Sequence, residues 1–126
     1  MEHRVAYKIY YEDTDSLGMV YYANYLKYLE RGRTEFVGAL GRPIQEWNRD
    51  GFYFVVYALT MKFKKSAGLG DLVEVVSSFA LTSAYRGHFS QRIECQGATL
   101  VVAEVDIVCV DPRQQLREFP PLVLTR

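Results

Sequence analysis

Apolar residues change their spacing along the chain, and the change separates one helical region from several extended ones. Between residues 22 and 40 they recur at i, i+3, i+4 and i+7, the spacing of a single buried helix face. The positions are Tyr22, Tyr25, Leu26, Leu29, Phe36, Val37 and Leu40. Gly38, Gly41 and Pro43 end this pattern. The sequence therefore predicts a long helix over Tyr22–Leu40, followed by a short helix over Ile44–Arg49.

The other apolar residues alternate with polar ones or form continuous β-branched and aromatic runs, which are typical of strands. The predicted strands are Val5–Tyr11, Phe52–Phe63, Leu72–Ser83, Tyr85–Cys95 and Leu100–Val110. Glycine-containing segments at 68–71, 86–87 and 96–97 are predicted turns or bends. One strand, a long helix and then four strands predict an α+β fold, in which an antiparallel sheet carries the helix on one face.

The composition is typical of one folded domain. The chain has 126 residues, 49% hydrophobic and 24% charged, so we expect a single domain over residues 1–126. Fifteen basic and fifteen acidic residues cancel, so no overall field favours nucleic acid or an anionic membrane. No apolar run reaches the ~18 residues of a membrane span. We expect a cytoplasmic protein that binds no nucleic acid.

The cysteines and histidines favour neither a disulfide nor a metal site. Cys95 and Cys109 lie in predicted strands and are expected to be reduced, buried residues. His3 and His88 have no metal-ligand spacing with either cysteine. We therefore expect no metal and no cofactor.

The segment between the first strand and the long helix gathers the most chemically useful groups. Residues 12–18 are mainly short polar residues and glycine, which favour a turn. Asp15 lies about seven residues before the helix, whose first N–H groups are unpaired and carry a partial positive charge. Such donors polarise a carbonyl, and a nearby carboxylate acts as a nucleophile or as a general base on water. Together they supply the parts of an acyl-transfer site.

Spacing alone also fits a plainer role for this turn. An acidic residue before a helix is most often a cap, although Asp15 is too far from Tyr22 for a simple N-cap unless the helix starts earlier. The neighbouring tyrosines are, on composition alone, more often core or interface residues than catalytic ones: Tyr21, Tyr22, Tyr25 and Tyr28. Both roles for the turn remain open at this point, with the cap favoured.

Residues 10–36 closely resemble the signature of hotdog-fold acyl-CoA thioesterases. More narrowly, they are similar to the 4-hydroxybenzoyl-CoA thioesterase family and its YbgC (Tol-Pal-associated) branch. The distinctive positions are Asp13, Asp15, Gly18, Val20, Tyr21, Asn24, Tyr25, Glu30, Arg31, Arg33 and Phe36. The resemblance implies a hotdog fold, a curved antiparallel sheet of about five strands wrapped around one long central helix. It also implies hydrolysis of short-chain or aromatic acyl-CoA to free acid and CoA.

The resemblance assigns catalytic roles to single residues. The family's catalytic aspartate corresponds to Asp15, and its carbonyl-polarising backbone N–H corresponds to Tyr22. The YbgC branch also implicates a tyrosine that matches Tyr11. Many YbgC-type members carry histidine where this chain has Tyr22. A backbone donor survives that change, but tyrosine titrates near ~10 rather than ~6.5, so the implied site has no catalytic histidine.

The substrate contacts are predicted from local basic clusters and from the same resemblance. Arg86 is the preferred contact to the CoA phosphates, because the matching region of the family contributes basic contacts to the nucleotide and arginine binds phosphate through a planar fork. The full predicted set of substrate-binding residues is Arg86, His88, Lys64, Lys65, Asn24 and Tyr25. An apolar acyl pocket is expected, with a lining predicted to be Tyr25, Leu29, Phe54 and Val56.

The resemblance also implies partners and leaves other functions open. Family members pair into dimers and often tetramers with sites at the subunit boundary, so we expect a homodimer or homotetramer. The expected substrate is an acyl-CoA, with acyl carrier protein as a second carrier. A hotdog hydratase or dehydratase is one alternative, although that chemistry usually pairs a histidine with a carboxylate. A non-catalytic acyl-carrier-binding module is the other, and it would not require Asp15.

Overall fold

The protein is described by a computed structural model that covers residues 1–122, so the last four residues of the predicted domain, 123–126, lie outside the described residues. Seven main elements follow in order: β1 (His3–Lys8), α1 (Tyr25–Ala39), α2 (Ile44–Arg49), β2 (Tyr53–Phe63), β3 (Leu72–Leu81), β4 (Arg86–Cys95) and β5 (Ala98–Val110). Two short 3₁₀ turns, Tyr11–Asp13 and Tyr22–Asn24, precede α1. The predicted order of elements is confirmed.

The five strands form one antiparallel sheet in the order β1-β3-β4-β5-β2, with β1 and β2 at its edges. The register of β2 against β5 shifts between Val56 and Ala58, which leaves Tyr57 as an extra residue in the edge strand. α1 packs across β1, β3 and β4 on one face of the sheet. The predicted α+β architecture is therefore confirmed. Within residues 1–122, no helix has the length and apolarity needed to cross a membrane.

α1 is seated on the sheet by a glycine and a buried polar contact. A Cβ atom at Gly32 would lie 2.4 Å from Cγ1 of Val75 in β3, so only glycine lets the helix approach this closely. Beside it, Nε2 of Gln91 donates to the backbone oxygen of Leu29 (3.0 Å) and to Oγ of Ser77 (2.9 Å). The Gln91 and Ser77 side chains are buried. The helix is thereby fixed in both depth and register.

The predicted buried face of the long helix is partly wrong at its start. Tyr22 is 62% exposed and Leu26 is 44% exposed, whereas Tyr28 is buried. Tyr22 belongs to a 3₁₀ turn, whose three residues per turn place it off the apolar face of α1. Leu26 lies beside Val56 and Leu59, on the side of the helix that faces the open edge strand β2.

The prediction of a turn at residues 86–87 is wrong, because both residues begin β4. Residues 82–85 make the connection from β3 instead. A Cβ atom at Gly87 would lie 2.2 Å from Cζ of Phe79 on β3. The glycine therefore marks the close approach of an aromatic ring to a strand, and not a change of chain direction.

Both cysteines are free thiols in the described part of the chain. Cys109 is fully buried in β5, and burial raises the pKa of its thiol to about 11. Cys95 is half-buried at the end of β4. The predicted place of both cysteines in strands is confirmed, and full burial holds only for Cys109.

Candidate active site

Residues 15–18 form a tight turn that the Asp15 carboxylate holds together. The Gly18 N–H donates to the Asp15 backbone oxygen (3.0 Å), and Gly18 has a φ of 78°, which glycine adopts without strain. Oδ1 of Asp15 accepts the N–H groups of Leu17 (2.9 Å) and Met19 (3.3 Å). Among residues 1–122, no donor reaches Oδ2, and the residue is exposed. The turn fixes the carboxylate through one oxygen and leaves the other for a ligand.

Asp13, two residues earlier, lies in the opposite environment. It is 3% exposed, and its carboxylate accepts Nζ of Lys27 (2.5 Å), the hydroxyl of Tyr28 (2.5 Å) and the N–H of Tyr10 (3.1 Å). Burial acts to raise the pKa of Asp13, but the hydrogen bonds from Lys27, Tyr28 and Tyr10 outweigh it and hold the pKa below its usual value. Asp13 therefore anchors the turn to α1, and no oxygen of its carboxylate is left for a ligand.

The backbone oxygen of Asp13 closes the loop that carries Asp15. It accepts the N–H of Tyr21 (3.1 Å) and Nδ2 of Asn24 (2.9 Å). Residues 13–21 are therefore tied together at both ends. Asn24, a predicted substrate contact, uses its side-chain amide to hold this loop. We call the two hydrogen bonds to the Asp13 oxygen the frame of the turn.

The start of the helix supplies a backbone donor at Tyr22. Within the described residues 1–122, no side chain caps α1, and Asp15 accepts from Leu17 and Met19 instead, so the alternative of Asp15 as a helix cap is wrong. In the preceding 3₁₀ turn, Asn24 donates to the Tyr21 oxygen (2.8 Å) and Tyr25 donates to the Tyr22 oxygen. The Tyr22 N–H comes before the first N–H that is bonded within this turn. Among the turn, loop and cap contacts of residues 1–122, no backbone oxygen accepts it. It is oriented as the first N–H of the helical segment, the position predicted for a carbonyl-polarising donor.

The turn is docked on the segment that follows β2. The Val20 N–H donates to the Ala67 oxygen (2.9 Å), and the Leu69 N–H donates to the Gly18 oxygen (3.0 Å). The Ala67 N–H in turn donates to the hydroxyl of Tyr25 (2.9 Å), which is 3% exposed. The ring of Tyr25 is in the core and its hydroxyl holds the docking segment, so the predicted contact of Tyr25 with substrate has weak geometric support.

The predicted basic residues Lys64 and Lys65 belong to this same corner of the molecule. Their backbone N–H groups both donate to the Leu100 oxygen (2.7 and 3.2 Å), and both side chains are exposed. They stand two to three residues before Ala67, to which the Asp15 turn is docked. The fold thus brings Asp15, the helix start and two lysines to one end of the sheet. Tyr11, at the outer side of the turn, is 80% exposed.

Arg86 and His88 lie towards the other end of the sheet. Val101 of β5 pairs with Phe63, beside the Asp15 corner, whereas Val108 pairs with Arg86. Val101 and Val108 are seven residues apart along β5, which corresponds to ~24 Å. Cζ of Arg86 stands 5.0 Å from the ring centre of Tyr57 on β2. Within one chain, Arg86 and Asp15 therefore do not share a site.

His88 is held by two carboxylates on the face of the sheet opposite α1. Its Nδ1 lies 2.7 Å from Oδ1 of Asp106, and its Nε2 lies 2.5 Å from Oε1 of Glu104. The imidazole donates to Asp106 and to Glu104 when it is protonated, and these hydrogen bonds, the one to Asp106 first, raise the pKa of His88. Two flanking negative charges make this histidine a poor contact for an anionic phosphate, so its predicted role in substrate binding has weak geometric support.

An apolar cavity of about 460 Å³ opens between the C-terminal half of α1 and the sheet. Aliphatic side chains and five phenylalanines form most of its wall, and the phenylalanines are Phe36, Phe54, Phe79, Phe89 and Phe119. Of the predicted acyl-pocket residues, Phe54 and Val56 line it, whereas Tyr25 and Leu29 are buried elsewhere in the core. An apolar cavity of this size is typical of a small-molecule site.

Sequence reasoning missed the contact that joins this cavity to the sheet. Nη1 of Arg33, on the cavity wall, donates to Oε1 of Gln91 (3.0 Å). The available signal was the alternation in β4, which puts the polar Gln91 on the same face as Phe89 and Ile93. A polar residue on a buried face requires a partner, but the pattern does not say which one.

Comparison with known proteins gives a consistent result. The model of the thioesterase-like superfamily matches residues 10–126. A protein of Escherichia coli named acyl-CoA thioester hydrolase YbgC is 36% identical over 119 residues, which are 93% of this chain and 89% of that protein. An acyl-CoA thioesterase YbgC of Haemophilus influenzae is 35% identical over 105 residues, 82% and 77% of the two chains. The crystal structure of a probable thioesterase from Bartonella henselae has 28% identity and a TM-score of 0.89, and the match covers 95% of this chain and 100% of that one.

Proposed function

The chain belongs to the thioesterase-like superfamily and is an acyl-CoA thioesterase, and we propose that Asp15 and the Tyr22 N–H are the groups that hydrolyse the thioester. This assignment rests on the different surroundings of the two oxygens of the Asp15 carboxylate. Oδ1 is held by two backbone N–H groups, and Oδ2 faces solvent without a donor among residues 1–122. A carboxylate in a fixed orientation with one open oxygen is suited to attack or to proton removal.

The Tyr22 N–H supplies the complementary half of the reaction. The thioester carbonyl accepts a hydrogen bond from this N–H, at the positive end of the helical segment, and the developing oxyanion strengthens that bond. In the nucleophilic route, Oδ2 of Asp15 bonds to the acyl carbon, the C–S bond breaks and its electron pair leaves with the CoA thiolate. Water then hydrolyses the mixed anhydride. In the general-base route, Asp15 instead removes a proton from the attacking water. Both routes use the same atoms.

We propose that the phosphates of CoA bind exposed basic side chains. Lys64 and Lys65 stand beside the docking segment of the Asp15 turn, with both side chains in solvent. Arg86 is the further candidate of the sequence analysis, because a guanidinium matches the phosphate geometry. Its distance from Asp15 within one chain means that it can serve this site only from a second copy.

A second copy is proposed to pair along β2. This edge strand has eleven residues, and no strand within residues 1–122 pairs with its outer side. Large apolar side chains along it are exposed: Val55, Val56, Tyr57, Leu59 and Phe63. Tyr22 and Leu26 extend the same exposed apolar surface onto the helical side. A long apolar edge is an aggregation site unless it is covered, and isologous pairing of two copies covers it. A tetramer would be formed from two such pairs.

Antiparallel pairing of the β2 edges completes the site. A two-fold axis near the middle of the strand sets the Phe63 end of one copy beside the Phe54 end of its partner. Tyr22 packs on Phe63, with ring centres 6.0 Å apart, and Phe54 lines the apolar cavity. The proposed site therefore takes Asp15 from one copy and the acyl cavity from the other. Sedimentation at micromolar concentration is expected to give a dimer or a tetramer, and a clean monomer would exclude this arrangement.

The test of the catalytic assignment is thiol release from a panel of acyl-CoAs, from short aliphatic to benzoyl, by wild type and by Asp15→Asn. Asparagine keeps an oxygen for the Leu17 and Met19 N–H groups, so the turn is preserved while the carboxylate is removed. Loss of one oxyanion donor typically costs ~100- to 1000-fold, and we expect Asp15→Asn to lose at least ~1000-fold in kcat. Near-normal turnover by the folded variant would overturn the role of Asp15.

The same panel separates the alternative functions. A hotdog hydratase or dehydratase would alter the acyl chain without releasing thiol, and a carrier-binding module would bind acyl-CoA without turnover. The comparisons with YbgC proteins support hydrolysis. The acyl preference is proposed to be short-chain or aromatic, as the resemblance implies, and the panel measures it directly.

A further inference from the structure

Residues 116–122 form a segment that crosses the end of the sheet, and we call this segment the strap. It follows β5 and lies outside the helices and strands. The Arg117 N–H donates to the Cys109 oxygen in β5 (3.0 Å), and the Phe119 N–H donates to the Ala84 oxygen between β3 and β4 (2.8 Å). The strap therefore runs from β5 towards the connection between β3 and β4. The proposed catalytic groups leave the strap without a task.

The Arg117 side chain fixes the start of the strap at the turn that follows α2. Its Nη1 donates to the backbone oxygens of Asp50 (3.1 Å) and Gly51 (2.9 Å). Cζ of the guanidinium stands 3.6 Å from the ring centre of Phe52, which is close enough for a cation–π contact. Two carbonyl acceptors and one aromatic face hold a planar guanidinium in one orientation. The strap is thus tied to the segment that leads into β2, the strand on which Phe54 lies.

The ring of Phe119 connects two sides of the cavity wall. It stacks on Phe54 of β2, with ring centres 5.6 Å apart and planes at 17°, and it lies 5.9 Å from the ring of Phe79 on β3. Phe79 in turn contacts Phe89 (4.6 Å), which contacts Phe36 of α1 (5.4 Å). All five rings line the cavity. Phe119 therefore completes a continuous row of rings from the edge strand to the helix.

Phe119 is half-buried and bounds open space. Protein interiors rarely leave voids larger than a water molecule, whereas the space beside this ring has a volume of about 460 Å³. Val55 and Val56, on the cavity wall at the β2 edge, are exposed, whereas Phe36 and Phe89 are buried. The cavity therefore opens at the β2 edge and ends among the aromatic rings. An acyl chain that enters at this edge has the Phe119 ring on the side of the strap.

The position of the strap sets the size of the cavity. Phe119 and Leu122 are the wall residues that the strap contributes, and the others come from α1, the turn after it, α2 and the strands. The ring is held between Phe54 and Phe79, and Arg117 holds the strap that carries it. A methylene that overlaps a ring held in this way would overpack the site, which is unfavourable. The space for an acyl chain therefore ends at Phe119.

We propose that Phe119 is a specificity-determining residue that limits the length of the acyl chain, and that Arg117 is the positioning residue that keeps the strap in place. The inference rests on the proposed function, because its ligand is the acyl part of a thioester. Acyl groups that end before the Phe119 ring are accepted, and longer ones are rejected. Such a limit agrees with the short-chain or aromatic preference proposed above.

The experiment measures kcat/KM by thiol release for saturated acyl-CoAs from two to sixteen carbons, in wild type, Phe119→Ala and Leu116→Ala. We expect the wild-type values to reach an optimum and to decline beyond it. In Phe119→Ala, kcat/KM at the first rejected length should rise at least ~10-fold relative to the optimum, since one methylene in an apolar pocket changes kcat/KM by ~10- to 200-fold. Leu116 is exposed on the same strap and is not among the wall residues of the described chain, so Leu116→Ala should keep the wild-type profile.

Arg117→Met tests the positioning role with the same acyl-CoAs. It removes the contacts to the Asp50 and Gly51 oxygens, so the length limit should relax in the same direction as in Phe119→Ala. Arg117→Lys keeps a donor for these oxygens and should restore part of the wild-type limit. If Arg117→Met lowers kcat/KM by the same factor at every length, the residue has a structural role alone, and its positioning role is overturned.

Three results would overturn the role of Phe119: a wild-type profile without an upper limit, a Phe119→Ala profile parallel to that of wild type, or a relaxed limit in Leu116→Ala. If Phe119→Ala does not fold, Phe119→Leu removes the ring and keeps a branched apolar side chain, and an unchanged limit in that variant overturns the proposal. Absence of turnover with every acyl-CoA would refute the proposed function instead. Calorimetric Kd values for the same acyl-CoAs then test Phe119, and the same length dependence in wild type and Phe119→Ala would overturn its role.

Discussion

Asp13 and Asp15 have the same side chain and stand two residues apart, yet their surroundings differ completely. Asp13 is 3% exposed and both of its carboxylate oxygens accept hydrogen bonds, from Lys27 on one side and from Tyr28 and Tyr10 on the other. Asp15 is exposed, and one oxygen has no donor in the described chain. The comparison separates two tasks: the first carboxylate positions the turn against α1, and the second is left available for chemistry. Each prediction below tests that separation.

Asp13→Ala should cause the largest loss of stability in the turn. It leaves the hydroxyl of Tyr28, which is 1% exposed, without its acceptor. Breaking a buried ion pair typically costs 3–5 kcal/mol, and Lys27, whose side chain is 37% exposed, can return to water, so we expect about 3 kcal/mol. Urea unfolding measures the difference. Asp15→Ala is the matched control and should cost less than about 1 kcal/mol. Equal losses at the two positions would contradict the separation of tasks.

Tyr28→Phe should have a smaller effect on the same contact. The substitution removes one hydrogen bond to Asp13 and keeps those from Lys27 and the Tyr10 N–H. Hydrogen bonds to charged groups contribute ~1.5–3 kcal/mol, so we expect a loss of about 2 kcal/mol in the free energy of unfolding. Tyr7→Phe is the control, because Tyr7 touches the Tyr28 ring and has no bond to Asp13. A Tyr28→Phe protein as stable as Tyr7→Phe would show that the hydroxyl is not a structural donor.

Asn24→Ala should loosen the frame of the turn by about 1 kcal/mol, the usual contribution of one hydrogen bond. The lost bond joins Nδ2 of Asn24 to the backbone oxygen of Asp13. Because this bond holds the loop that carries Asp15, we expect kcat to fall even at temperatures at which the variant stays folded. Ser16→Ala, at an exposed position in the turn, serves as the control. A drop in stability with unchanged kcat would mean that the frame does not position Asp15.

The smallest effect is expected in the acid dependence of stability. The folded pKa of Asp13 is lowered, so its contribution is present above the unfolded pKa of ~3.9 and is lost as pH falls through the folded value. The stability gap between wild type and Asp13→Asn should therefore narrow as pH falls from ~5 towards ~2. Urea midpoints at each pH measure the gap. A gap that is constant over this range would indicate that the Asp13 pKa is not lowered.

The elements of the fold could be read from the sequence because they depend on local periodicity. The short helix Ile44–Arg49 has the predicted bounds, and the long helix differs only at its ends, where Tyr22–Asn24 form a 3₁₀ turn. The predicted turn at Gly87 was wrong for an instructive reason. A glycine in a strand and a glycine in a turn look alike in sequence, and only the ring of Phe79, packed against it from β3, distinguishes them.

The site was less predictable because its chemistry depends on distant contacts. The resemblance selected Asp15, whereas the residue pattern alone gave no reason to prefer it to Asp13. The difference arises from Lys27 and Tyr28, fourteen and fifteen residues away, which take up the Asp13 carboxylate. The contact between Arg33 and Gln91 spans fifty-eight residues and joins a helix to a strand. Only the packed fold determines such pairings.

The unpaired edge of β2 has a consequence for subunit exchange. Under the proposed pairing, each site combines Asp15 of one copy with the cavity of the other. A copy carrying Asp15→Asn and a copy whose cavity is filled by Leu40→Trp are each inactive alone, but a mixed dimer regains one complete site. Random reassociation makes half of all dimers mixed, so the mixture should recover about a quarter of wild-type activity. Two inactive proteins would thus complement each other in one tube.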